Sequence, residues 1–180
     1  ALVATPPHTH QGIASALLER GVYVLCEKPL GRSVAECQAM VDAARRGGAA
    51  LWAGTNRRYF PSWRLIRDLK AERTLGTLLS LHFEEGTAFN WPVNSFAVFD
   101  PAVSGGGVFL DTGAHPADFV VWLTGRAPDL IRYEDDSRGG VEANCLAILR
   151  SGEAIFTLRL SRTHDLLNRV VAVFETMPPS

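Results

Sequence analysis

Cysteine is scarce in this chain. Cys26, Cys37 and Cys145 are the only three in 180 residues, and no two share a short spacing. That excludes a disulfide framework and a CxxC metal or redox site, and makes a reducing cytoplasm the expected compartment. Long apolar runs are also missing. Phe119 to Leu123 is among the longest, far short of the roughly 20 residues needed to span a bilayer. Charge of one sign is not in excess: 18 Lys and Arg stand against 19 Asp and Glu. Without a basic surplus to neutralise phosphates, nucleic acid is not an expected partner. Internal repeats and low-complexity segments are absent too. What is present is an ordinary globular composition, 47% hydrophobic and 21% charged, which excludes global disorder. The chain has no initiating Met and opens inside the apolar run Ala1-Leu2-Val3-Ala4, which reads as a buried strand. The expectation is a piece of a longer protein.

The first part of the sequence alternates short apolar strands with helices. Leu2 to Thr5, Val22 to Cys26 and Leu51 to Gly54 read as strands. A helix over Thr9 to Arg20, with Ile13 and Leu17 inward, stops at Gly21. Ser33-Val34-Ala35-Glu36 is a capping box opening a second helix, with Val34, Cys37, Val41 and Ala44 on one face and Arg45-Arg46-Gly47-Gly48 at its end. This rhythm predicts βαβ units in a parallel sheet. The remainder reads as α+β. Pro61 opens a helix to about Lys70 with Ile66 and Leu69 inward. Thr77 to Glu85 alternates, with Leu79, Leu81 and Phe83 on one side. Further alternating runs cover Asp129 to Glu134, Val141 to Arg150, Ala154 to Ser161 and Asn168 to Phe174, which predicts a largely antiparallel open sheet with helices on one face. The boundary is placed at 55/56.

Three clusters carry candidate chemistry. Thr5-Pro6-Pro7-His8-Thr9-His10 lies where a strand meets a helix, the edge at which parallel α/β sheets bind ligands. Cys26-Glu27-Lys28-Pro29 follows the next strand, with Pro29 keeping Lys28 extended. Asp111-Thr112-Gly113-Ala114-His115 follows the triplet Gly105-Gly106-Gly107. If it is helical, Asp111 and His115 share a face. Pro116 favours a helix that begins near Ala114 or kinks there. A carboxylate beside an imidazole suits acid–base work near neutral pH.

Together, the order and spacing of these clusters resemble the glucose–fructose oxidoreductase and inositol dehydrogenase family, Gfo/Idh/MocA. Ala4 to His10 and Val24 to Leu30 resemble the second half of its Rossmann domain, Asn56-Arg57-Arg58-Tyr59 its entry to the C-terminal domain, and Gly105 to Asp118 its active-site helix. The resemblance implies the C-terminal part of a Rossmann-type parallel sheet over 1–55. It implies a substrate-binding and dimerisation domain over 56–180. It further implies hydride transfer between a secondary hydroxyl of a sugar or cyclic polyol and NAD or NADP. Lys28, Asp111 and His115 would be catalytic, with His115 the proton acceptor and Asp111 its tuning partner. Thr5, Pro6, His10, Glu27 and Lys28 would meet the cofactor; Arg57, Trp91 and Asn94 the substrate. The family's opening GxGxxG-type unit, which holds the pyrophosphate, is not in this sequence. A homo-oligomer through the C-terminal sheet is implied as well, with Leu146 and Ile155 on the side opposite the main apolar row. Two rival readings are a non-catalytic sensor of the same fold and a zinc hydrolase using His8, His10, Asp111 and His115; on the dehydrogenase reading no metal is required.

Overall fold

A computed structural model describes residues 1–73, 75–90 and 99–175. They form two compact units, each taken by itself. The first comprises Ala1–Thr55, the described part of Pro92–Ala114, and Gly139–Val141; the second comprises Asn56–Trp91, His115–Arg138 and Glu142–Ser180, so far as described.

In the first unit, β1 (Leu2–Val3), β2 (Val24–Cys26) and β3 (Leu51–Ala53) form a parallel sheet in chain order, with Val3 opposite Cys26 and Cys26 opposite Ala53. The crossovers are α1 (Pro7–Leu18) and α2 (Val34–Gly47). Gly21 takes φ +78° just beyond α1, and Gly48 is the left-handed cap of α2, as the glycine stops predict. Ser33 caps α2 by accepting from the Glu36 amide. The box is not reciprocal, because the Glu36 carboxylate turns to the Arg32 amide and guanidinium instead. That guanidinium holds the Glu36 carboxyl below the usual range.

The inward faces of both helices match the expected ones only in part: Leu17 and Ala44 pack in the core. His10, Ala14 and Leu18 are buried on α1, while Ile13 is exposed. Met40, Ala43 and Ala44 are buried on α2, while Val34 is 86% exposed. The two helices approach closely. Gly47 lies against the Leu18 backbone so tightly that a Cβ there would come within 1.8 Å of the Leu18 carbonyl oxygen, which leaves no room for a side chain at that position.

The second unit is a five-stranded sheet in the order β5 (Asp129–Asp135), β6 (Asn144–Ser151), β7 (Ala154–Ser161), β4 (Leu78–Gly86), β8 (Arg169–Phe174). Three of its pairings are antiparallel and β4–β7 is parallel. A turn at Gly152, φ +65°, joins β6 to β7. Leu81 and Phe83 face inward as expected. Leu79 does not: an irregularity in the register between Leu78 and Ser80 turns Leu78 inward and leaves Leu79 exposed. One face is covered by α3 (Pro61–Glu72) and α6 (Ala114–Thr124). Trp63 of α3 anchors this core, 4.5 Å between ring centroids from Phe119 and 5.8 Å from Phe83. Among the described residues, no helix is long and apolar enough to cross a membrane.

Candidate functional site

The carboxyl ends of the parallel strands are tied together by main chain. The Glu27 amide donates to Val3 and the Gly54 amide to Cys26, at 2.8 and 2.7 Å. The first two sequence clusters emerge at this edge. Thr5 and Pro6 lead into α1, where the Thr9 hydroxyl donates to the Pro6 carbonyl and meets the Thr5 hydroxyl at 2.6 Å. Glu27 and Lys28 follow β2, and the Glu27 carboxylate accepts from the Lys28 amide at 2.9 Å.

Lys28 reaches across 83 residues of sequence to Asp111. Its Nζ donates to Asp111 Oδ1 at 2.5 Å and to the Asp111 carbonyl at 3.1 Å. The segment bearing Asp111 is held to the same unit by Arg32, which donates to the Ala102 carbonyl at 2.5 Å. Close packing of Arg32 on Gly105, φ +80°, leaves no room for a Cβ. Two short helices build the segment, α4 (Pro101–Ser104), capped by Asp100, and α5 (Val108–Asp111). Asp111 is the last residue of α5, and α6 restarts at Ala114, as Pro116 predicts. Asp111 and His115 are therefore not four apart on one helix. Asp111 pairs with Lys28, and buried His115 sits in the first turn of α6.

His10 is 1% exposed, and its two ring nitrogens lie 2.7 Å from the Thr5 carbonyl oxygen and 3.0 Å from that of Pro29. Its side chain is built into the edge rather than presented on it. Among the described residues no group of three or more His, Cys, Asp or Glu could hold a metal.

In the second unit, a 3-10 turn over Asn56–Tyr59 carries both arginines of Asn-Arg-Arg-Tyr. Arg57 makes a two-pronged bond to the Glu85 carboxylate, with Nη2 to Oε1 at 2.7 Å. Arg58 clasps Asp118 of α6, with Nε to Oδ2 at 2.7 Å, and lies over the Trp122 ring beside Arg67. Glu85 went unread in the sequence, although a carboxylate continuing the inward row Leu81, Phe83 signals that a cation must meet it. Trp91 and Asn94 lie outside the described residues.

The profile described as "Oxidoreductase family, NAD-binding Rossmann fold" matches residues 1–55, and "GFO/IDH/MocA C-terminal domain" matches 63–175. The chain belongs to the Gfo/Idh/MocA oxidoreductase family. It is 36% identical over 135 residues to the rhizopine catabolism protein MocA of Rhizobium meliloti, covering 73% of this chain and 39% of that protein. It is 34% identical over 126 residues to the myo-inositol dehydrogenase Hyg17 of Streptomyces leeuwenhoekii, covering 70% and 37%. Among solved structures, a levoglucosan dehydrogenase in complex with NADH and levoglucosan superposes with a TM-score of 0.78 at 25% identity, over 91% of this chain and 47% of that one. The chain thus spans under two fifths of the curated Gfo/Idh/MocA relatives it matches.

Proposed function

We propose that this Gfo/Idh/MocA chain serves an NAD(P)-dependent oxidoreductase acting on a secondary hydroxyl of a sugar or cyclic polyol. The observation that carries the reading is the Lys28–Asp111 pair at the carboxyl edge of a parallel sheet. The names of the relatives, inositol and levoglucosan dehydrogenases, support the substrate class. The residues present suit the nicotinamide end of a dinucleotide: Thr5, Pro6, Glu27 and Lys28 all stand at that edge. The glycine-rich turn for pyrophosphate is not part of this sequence.

A nicotinamide cofactor supplies the hydride acceptor when bound. The protein's own contribution is charge and a base. Lys28 offers an ammonium to the oxygen that becomes an alkoxide as hydride leaves, stabilising charge where it develops. His115 takes the hydroxyl proton on its imidazole. Asp111 holds the lysine ammonium in place. Arg57, fixed by Glu85, is a substrate-side donor. The test is oxidation of myo-inositol and free hexoses with NAD and with NADP by the protein carrying this chain. Lys28→Ala and His115→Ala should each lower kcat at least roughly 100-fold in protein that circular dichroism shows to be folded; turnover indifferent to His115→Ala would sink the reading.

A homo-oligomer through the uncovered sheet face is part of the same reading. Leu146, Ile148, Ile155, Val171 and Val173 share that face, and Arg169, Glu84 and Arg159 alternate in sign along one row across it. A two-fold copy can set such a row against itself. Sedimentation should show a dimer or larger that Val171→Lys dissociates; a wild-type monomer at micromolar concentration would end this proposal.

A further inference from the structure

His10 stands out among the side chains of the first unit. It is a buried imidazole, and both nitrogens meet main-chain oxygens of two different strand ends. One is Thr5, on the turn leaving β1. The other is Pro29, bonded directly to Lys28. The lysine is thereby held at three points: its amide by Glu27, its ammonium by Asp111, and the next residue's carbonyl by His10. Of the three, only His10 also ties residue 29 to the turn carrying Thr5 and Pro6. We propose that His10 is a positioning residue for Lys28, fixing the Lys28–Pro29 backbone relative to the Thr5-Pro6 turn while making no contact with the reactants itself. The proposal rests on the reading of Lys28 as the charge at the reacting oxygen.

The two ring nitrogens can be separated by substitution. Asparagine sets its amide NH2 near the place of Nδ1, so His10→Asn keeps a donor facing the Pro29 carbonyl and leaves the Thr5 carbonyl without a facing side-chain nitrogen. Glutamine sets its amide near Nε2, so His10→Gln does the reverse. Each variant leaves one main-chain carbonyl without a facing side-chain nitrogen, so a purely structural role predicts no kinetic difference between the two that tracks the position of Lys28. Positioning of Lys28 predicts a split. His10→Asn should keep kcat within about threefold of wild type, while His10→Gln lowers kcat roughly tenfold with the polyol KM little changed, since small misplacements of a catalytic group are costly.

Crystal structures of the two variants give a readout independent of turnover. The Lys28 Nζ to Asp111 Oδ1 contact should survive in His10→Asn and open by about 1 Å in His10→Gln. Equal kcat in the two variants, or an unmoved Lys28 in both structures, overturns the proposal. If His10→Gln does not fold, His10→Asn decides alone: a folded Asn variant that loses more than tenfold in kcat overturns it, because that variant keeps a donor facing the Pro29 carbonyl. If the wild-type protein oxidises no sugar or polyol, the functional reading falls, while the crystallographic comparison still settles whether His10 places Lys28.

Discussion

Gly47→Ala is expected to destabilise the protein although alanine is the better helix former. Gly47 is the last residue of α2, and an ideal Cβ there lies 1.8 Å from the Leu18 carbonyl oxygen, 2.8 Å from its carbon and 3.0 Å from Glu19 Cα. All three are backbone atoms of the α1 terminus, so no rotamer change relieves the overlap. An ordinary contact needs at least 3.4 Å, so α1 and α2 must part by more than an ångström. A gap of that size forfeits at least about half of each dispersion contact it opens across the seam. The seam holds Leu18, Met40, Ala43 and Ala44, all buried. Overpacking of this sort costs about 1–3 kcal/mol or more, against a propensity gain of at most about 1 kcal/mol. A net loss near 2 kcal/mol corresponds to a fall in Tm of about 4–8 °C. Gly12 supplies the control. It lies exposed on α1 with nothing within 4 Å of its Cβ position, so Gly12→Ala should gain about 0.5–1 kcal/mol. Thermal unfolding by circular dichroism measures both, and hydrogen exchange of the α1 and α2 amides localises the effect. A Gly47→Ala protein as stable as wild type would refute the steric argument, because propensity alone would then account for both positions.

The buried thiols predict an alkaline limit. Burial, reinforced by Glu27 beside Cys26 and by Glu142 near Cys145, pushes the two thiols up to about 11 and about 12 from an ordinary 9. A raised folded-state value means the associated stability is complete below pH 9 and is lost as the pH climbs through 11 to 12, since the unfolded chain releases its protons first. The denaturant midpoint should fall between pH 9 and 11, and Cys26→Ala should flatten that fall; a profile that Cys26→Ala leaves unchanged would refute the assignment. At pH 8 a disulfide reagent should leave both residues unmodified in the native protein, and rapid labelling of either would contradict their burial.

Much of this architecture was legible locally. The Ser33 cap, the glycine stops at Gly21, Gly48 and Gly125, and the alternating row Cys145, Ala147, Leu149 all follow from rules acting within a few residues. What escaped was set by distant partners. Periodicity found Leu17 and Ala44 among the packed residues of α1 and α2 but missed Leu18, Met40 and Ala43, since which stripe turns inward is set by the partner helix. The displaced Leu79 depends on how β4 pairs with β8, some 90 residues away in sequence. The parallel β4–β7 pairing has no local signature either, because alternation reports which residues face the core and is silent on strand direction.

The candidate site follows the same division. Asp111 and His115 would share a face only on an unbroken helix, and Pro116 pointed instead to a start near Ala114 or a kink there. The break between α5 and α6 leaves Asp111 as the last residue of α5, where it meets Lys28 from the turn after β2. The side chains of this pair are 25% and 41% exposed, and ion pairs so exposed contribute only about 0–1 kcal/mol to stability. Stability is therefore a poor explanation for a lysine held at its amide, its ammonium and the adjoining carbonyl together. Immobility of that kind matters where a charge must already be in place when an alkoxide develops, since a pre-oriented ammonium needs no reorganisation at the moment of reaction. His10 braces the same edge from within, because both of its ring nitrogens lie against the backbone that carries Lys28 and Thr5.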